Sequence, residues 1–409
     1  MYIHTAQLRP LLDSRKEQTL EVVLTSGRFS VKASVPHGKS TGSHEAVALP
    51  FQEALRSFDR IHKELYQEDF SSQKDFDMFL SQWDGSEDKH VLGANTMLAL
   101  SIAFARLMSR ERKQEVYDYI HQEFLSRVPS AQKKSPYLVA NLVNGGAHGS
   151  FSSAWRSQFH VSPLSFQEFH VIPLVDDVAV GLGLIQELYS KLGRKLSSYF
   201  DDANIAMGDE AGFSAPFDSP HMVLDIFSDL IEKYHYPCGI GIDAAASEFY
   251  KDGMYLYQGK EISKEELLSE YVHIIDTYPL LFLEDPFHED DFASFSELFE
   301  KVKSEDLLIV GDDLTVTQLP RVAEASKQGA VNACIVKPNQ VGTITEVLEV
   351  VSYMYAHGMR AVASHRSGET LDTFISDLAV GIGAWGIKAG APVRPERSVK
   401  YERLVHISE

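Results

Sequence analysis

The sequence predicts an α/β fold: a TIM-type α/β barrel as carboxyl-terminal domain, preceded by a smaller α+β amino-terminal domain. Two observations carry that expectation. From Tyr137 onward short apolar runs recur, namely YLVANLVNGG, FHVIPL, CGIGID, LLFLED, LLIVGDD, ACIVKPN, RAVASHR and GIKAGAP. Between several of them lie helix-patterned stretches such as KEELLSEYVHIIDTY, FSELFEKVKS and TITEVLEVVSYMYAHG. Continuous apolar strands separated by helices read as buried parallel sheet built from βαβ units. That many units in about 270 residues favour a closed barrel over an open doubly wound sheet. No glycine-rich dinucleotide fingerprint follows any of the runs.

Taken in order, the chain opens with TLEVVLTSGRFSVKASV, two β-branched stretches around Ser26-Gly27 that suit a hairpin. Helical patterning follows, clearest in LGANTMLALSIAFARLMSRERKQEVYDYIHQEFL, where apolar residues recur every three to four positions. SRVPSAQKKSP then concentrates Pro, Ser and Lys and reads as a linker. The expected domains are therefore residues 1–130 and 131–409.

The totals narrow the function classes. The 409 residues carry 38 Lys plus Arg against 58 Asp plus Glu, a net charge of −20, which argues against a nucleic-acid or anionic-membrane partner. An acidic protein that handles an anionic substrate needs local positive charge, either a metal or a Lys/Arg cluster. Cys238 and Cys334 are far apart and form no C-x-x-C pair, so small buried thiols in a reducing cytosol are expected. MYIHTAQLRP has no basic segment followed by an apolar one, so no secretory signal is expected. No apolar run approaches the ~18 residues of a membrane span. A cytoplasmic protein is the expectation.

The ends of the apolar runs carry the chemistry. Asp243, Glu284-Asp285, Asp312-Asp313, Lys337, His365-Arg366-Ser367 and Lys388 each follow one, and a barrel gathers strand ends on one rim. A single acid there is as well explained by a helix cap or an ion pair. Asp243, Glu284 and Asp312 in succession would crowd negative charge unless a cation neutralises it. Oxygen-only ligands point to a hard divalent ion, Mg²⁺ above Zn²⁺. Lys337 has two readings: a protonated partner of those carboxylates, or a neutral amine, its pKa depressed, able to take a proton α to a carboxylate. SHRSGET offers guanidinium, hydroxyl and backbone N–H groups to a phosphate or carboxylate, and Lys388 a second cation or a plain salt bridge. HGKSTG is not a phosphate-binding P-loop, since Ala33 stands where that motif needs its first glycine. Ser40 on that loop stays a candidate metal or phosphate contact.

These residues resemble enolase, the phosphopyruvate hydratase family. The likeness runs through LLDSR, SVPHGKSTGSHEA, DGSEDKHVLGAN, NLVNGGAH, SFQEF, MGDEAGF, IGIDAAASEFY, LEDPF, GDDLTVT, VKPNQVGT, SHRSGETLDTFISDLAVG and IKAGAPVRPER. It implies reversible dehydration of 2-phosphoglycerate to phosphoenolpyruvate, in glycolysis and gluconeogenesis. Asp243, Glu284 and Asp312 would hold one Mg²⁺, and Ser40 would help hold a second that arrives with substrate. Lys337 would be the base at C2 and Glu210 the acid at the C3 hydroxyl. Gln167, Glu168 and His148 would line the site near that hydroxyl. Glu284 and Asp312 would also face substrate, Arg366 and Ser367 would grip the phosphate, His365 would lie beside it, and Lys388 would hold the carboxylate. A homodimer is implied as well.

The chain departs from that family's pattern in places. DSRKEQ lacks a usual Gly and Pro, Lys39 replaces a small residue, and the stretch from His148 to Glu168 is about ten residues longer than the resemblance implies. Ala211 follows the acid where a Gly is usual, so that turn is expected to avoid positive φ. The chain also closes at VHISE, short of the usual tail. Two other readings stay open: a barrel lyase or racemase acting on an unphosphorylated acid, and a scaffold protein that keeps the fold without turnover.

Overall fold

The structure is a computed structural model that describes residues 1–38, 44–146, 164–302, 304 and 306–409, without the side chain of Ala203. The first three strands, Thr5–Leu12, Gln18–Ser26 and Phe29–Ser34, form an antiparallel sheet in that order. Ser26 faces Phe29 across a two-residue turn in which Gly27 has φ 54°, a conformation glycine adopts without steric cost. The expected hairpin is therefore present, with the strand Thr5–Leu12 added at its edge.

Helices Phe51–Leu65, Gln73–Asp84, Ala94–Glu111 and Val116–Leu125 follow. The long helical segment expected from the sequence breaks between Glu111 and Val116, where Lys113 takes φ 54°. Ala94–Glu111 is buried nearly all round because it packs on the small sheet and also against the barrel.

Eight strands close the barrel: Tyr137–Asn144, Glu168–Pro173, Cys238–Asp243, Leu280–Glu284, Leu308–Gly311, Ala333–Val336, Arg360–Ser364 and Gly386–Lys388. Closure comes from pairing of the last with the first. All eight expected runs are barrel strands. One differs from expectation: Glu168–Pro173 runs antiparallel to both neighbours, so the sheet is not wholly parallel. Its six residues are all buried, so its apolar pattern could not reveal its direction.

Val139, Ile172, Phe282, Leu308, Val310, Ala333, Ile335 and Val362 fill the barrel interior. Fully burying side chains of the larger kinds contributes about 1.5–3 kcal/mol each. This apolar plug is the floor beneath the polar strand ends. Among the described residues no helix is long and apolar enough to cross a membrane.

Candidate active site

Sheet register assembles the acidic centre. Asp243 is paired with Glu168 on one side and Glu284 on the other, so three carboxylates stand at one level on adjacent strands. Glu168 opens its strand whereas the other two close theirs, and only the antiparallel course of that strand puts it on the same rim. Lys388, at the end of the eighth strand, reaches into the group. Its Nζ donates to Glu284 Oε1 at 2.9 Å and Oε2 at 2.7 Å and to Asp243 Oδ2 at 3.1 Å, and lies 3.2 Å from Glu168 Oε2. Burial and the Asp243 charge push the Glu284 carboxyl well above its ordinary range, against the pull of Lys388. Burial opposes the Lys388 charge too, but the Asp243, Glu168 and Glu284 carboxylates outweigh it and hold the ammonium far up.

Lys337 bonds Asp312 Oδ2 through its Nζ. Burial works to lower this ammonium, yet the Asp312 carboxylate keeps it above its ordinary value. Of the two readings of Lys337, the protonated ion pair is the one seen here. Among the described residues, Lys337 is the one cation within bonding distance of that Asp312 oxygen. The second acid of the Glu284-Asp285 pair has a different job. Asp285 accepts the backbone N–H of Asp312 at 2.9 Å and of Asp313 at 2.6 Å, so it shapes the neighbouring strand end. Thr317, held at φ 53°, accepts the Lys337 N–H at 2.9 Å and so fixes the Lys337 backbone.

Glu210 Oε2 accepts from His365 Nε2 at 3.0 Å and Asn141 Nδ2 at 3.3 Å. Arg397 donates to the other ring nitrogen, Nδ1, of His365. Burial, with the Arg397 charge, holds the His365 pKa below its ordinary value despite the Glu210 carboxylate. The expectation that the turn after Glu210 avoids positive φ is wrong: Ala211 has φ 69°. Its N–H donates to Gly208 O at 3.1 Å and its carbonyl accepts the Tyr189 hydroxyl at 2.8 Å. Those bonds fix the turn, and the cost is about 1–2 kcal/mol for a Cβ in that region.

Arg366 faces a partner the sequence did not suggest. Its Nη1 and Nη2 donate to Glu45 Oε2 at 2.8 Å and Oε1 at 3.1 Å, a pair in which both side chains are almost fully buried. Arg15 reaches Ser367 Oγ at 3.4 Å, and His37 and Gly368 exchange backbone hydrogen bonds of 2.8 and 2.9 Å. A Cβ on Gly368 would strike Asp13 Oδ2 and His37 O, so this residue must be glycine for the two segments to meet.

One cleft is lined by Gln167, Glu168, Glu210, Asp243, Asp312, Lys337, His365, Arg366, Ser367 and Lys388. Glu284 lies beneath it, fully buried. Ser40 and His148 fall outside the described residues. Sequence reasoning missed Glu45, Asn141 and Arg397. Asn141, a polar residue inside the apolar run YLVANLV, was a readable signal; Glu45 and Arg397 stand inside SVPHGKSTGSHEA and IKAGAPVRPER, but their pairings span long sequence separations that the motifs do not reveal.

The donor set fits a hard divalent cation. Asp243 and Glu284, two of the three expected ligands, converge with Glu168 on a single ammonium, and Asp312 lines the same cleft, so the register gathers oxygen donors around positive charge. Among the described residues Asp285, Asp312 and Asp313 also bring carboxylate oxygens within 4.8 Å of one another. Both oxygens of Asp285 are taken by backbone N–H groups, so that cluster reads as the scaffold of the turn.

A barrel with an acidic, lysine-flanked rim and a capping α+β domain defines a lyase of the kind that works on carbon acids. Residues 133–409 match the family model "Enolase, C-terminal TIM barrel domain", and residues 3–120 match "Enolase, N-terminal domain". The chain is 35% identical to an enolase of Methanocaldococcus jannaschii over 98% of its own length and 93% of that protein. It is 36% identical to an enolase of Methanococcoides burtonii (100% and 95% covered) and 36% identical to one of Aeropyrum pernix (97% and 91%). The chain belongs to the enolase family, and as such is a hydro-lyase, a phosphopyruvate hydratase.

Proposed function

We propose that this chain catalyses the Mg²⁺-dependent, reversible dehydration of 2-phosphoglycerate to phosphoenolpyruvate in glycolysis and gluconeogenesis. The observation that supports it most is the shared cleft: Lys337 and Glu210, the proposed base and acid, border one space together with Arg366, Ser367 and Lys388. Asp243, Glu284 and Asp312 would hold one Mg²⁺, and Ser40 would help with a second. Bound there, the metal would supply the positive charge that offsets the dianion left when C2 loses its proton.

The chain's own residues do the rest. Lys337 takes the C2 proton once it is neutral, and Asp312 is the group that now holds it charged. Glu210, whose Oε2 accepts from His365 and Asn141, gives the proton to the leaving C3 hydroxyl. Gln167 and Glu168 face that hydroxyl, a role the family likeness also implies for His148, while Lys388 meets the substrate carboxylate, and His365, Arg366 and Ser367 meet the phosphate. Family membership also supports a homodimer in the cytoplasm, which light scattering and cell fractionation check.

The test is phosphoenolpyruvate formation by the purified chain with Mg²⁺ and with chelator, beside Lys337→Ala. Turnover that stops with chelator, and a variant that binds substrate without exchanging its C2 hydrogen, are expected. Chelator-insensitive turnover, or an active Lys337→Ala, would contradict the assignment.

A further inference from the structure

Beneath the acidic centre the second barrel strand buries a histidine that the reaction scheme does not use. Glu168, His170 and Ile172 alternate inward along that strand, and His170 has no exposed surface. Its Nε2 lies 2.9 Å from Glu168 Oε2, the same oxygen that sits 3.2 Å from Lys388 Nζ. Its Nδ1 is buried with no hydrogen-bond partner. The ring meets Phe282 edge-on, with centroids 5.6 Å apart. Across the sheet, a Cβ on Gly241 would come within 3.2 Å of His170 Cβ and Nδ1, so the glycine in CGIGID leaves the room the imidazole occupies.

These contacts assign the tautomer of the neutral ring. A carboxylate only accepts, so the nitrogen facing it carries the hydrogen, and in the neutral ring Nδ1 is left as an acceptor in the barrel. An aliphatic side chain would fill the same layer and leave no orphaned atom. What the imidazole gains is a single hydrogen bond, and that bond goes to Glu168.

We infer that His170 is a positioning residue for the dehydration half of the reaction. Its Nε2–H fixes the Glu168 carboxylate against Lys388, so that Glu168 is presented to the departing C3 hydroxyl in one orientation. This rests on the proposed reading of the site, in which Lys337 acts at C2 and Glu168 near C3.

The experiment compares His170→Met and His170→Gln with the full-length wild-type chain. Three quantities are read: phosphoenolpyruvate formation, KM, and exchange of the C2 hydrogen with solvent deuterium, which needs Lys337 but not loss of the hydroxyl. In His170→Met, kcat for dehydration is expected to fall about 10- to 100-fold, with KM within about twofold and exchange retained. The Gln variant, whose amide N–H can reach the place of Nε2–H, is expected to recover most of the loss. In the metal-free wild type, ¹⁵N shifts should show Nε2 protonated and Nδ1 bare. A His170→Met enzyme with wild-type kcat, equal loss of exchange and dehydration, no recovery in the Gln variant, or a protonated Nδ1 overturns the inference. A wild-type chain that neither exchanges nor dehydrates overturns the reading of the whole site; an active wild type with an unaffected His170→Met sinks only the role of His170.

Discussion

Replacing Arg397 by methionine should separate two tasks of one buried guanidinium. Arg397 is the largest fully buried side chain among the described residues. It donates to Arg366 O at 2.8 Å, Ser367 O at 2.6 Å and Asp209 O at 3.2 Å, and also to His365 Nδ1. Asp209 O keeps a bond from Arg394 Nη1 at 3.2 Å and Ser367 O keeps one from the Ser14 hydroxyl at 3.3 Å, so the loss is reckoned for one carbonyl, about 1 kcal/mol net, less what is regained by no longer burying a charge. With about 2 cal/mol/K of unfolding entropy per residue, a chain of 409 residues loses no more than about 1 °C in Tm. The catalytic effect is larger. A guanidinium cannot accept, so Arg397 obliges His365 to keep its hydrogen on Nε2, aimed at Glu210. Methionine removes that constraint and one of the causes that hold the His365 pKa down, so its titration should move up. Dehydration should slow on the order of 10²-fold and acquire a new fall toward acid pH. Thermal melts, pH–rate profiles and NMR titration of His365 are the assays. An Arg397→Met protein with the wild-type profile and an unmoved His365 would refute the tautomer argument.

Three further outcomes follow from the geometry. Burial and the Asp312 charge push Asp313 up to about 7, and Glu284 and Asp285 are raised well above their ordinary range. Their folded pKa values exceed the unfolded ones, so the stability they contribute is full below about pH 4 and is lost as pH rises toward 7 and beyond. In chelator, Tm should therefore fall between pH 5 and 8, and Mg²⁺ should flatten the slope; a melt that rises over that range would contradict it. Ala211→Gly should stabilise by about 1 kcal/mol, roughly 1 °C in Tm, because it relieves a Cβ at φ 69°. Gly368→Ala should cost about 1–3 kcal/mol and weaken binding of phosphorylated ligands at least tenfold by calorimetry, since its Cβ would force the Asp13–His37 segment away from Ser367.

How legible all this was in the sequence depended on how local the cause is. Barrel strands announce themselves because each is buried on both faces, and that burial writes a continuous apolar run such as LLFLE. The direction of Glu168–Pro173 is not written anywhere in its own residues, because pairing partners decide it. That mattered for the site, since the rule that functional groups close barrel strands finds Asp243 and Glu284 but passes over Glu168, which opens one. Ala211 misled for a related reason: a preference against positive φ of about 1–2 kcal/mol is small beside the bonds that pin the turn. Glu45 was unreadable because its partner lies 321 residues away and on a different domain-sized unit of sequence.

The electrostatics explain why an acidic chain builds this rim. Among the described residues, Glu168, Asp243, Glu284 and Asp312 face the two ammonium groups of Lys337 and Lys388, and both are engaged as counter-ions. Arg366, the guanidinium proposed for the phosphate, is paired with Glu45. An anion approaching such a rim on a chain of net charge −20 would meet excess negative charge, with its would-be partners already committed. The proposed reaction needs the reverse arrangement: one lysine stripped of its proton and the other turned toward a carboxylate. A hard divalent cation held by the same oxygens removes the reason for both lysines to stay where they are. The proposed metal dependence would thus follow from where the register puts three carboxylates, and it should be felt in substrate affinity as much as in turnover.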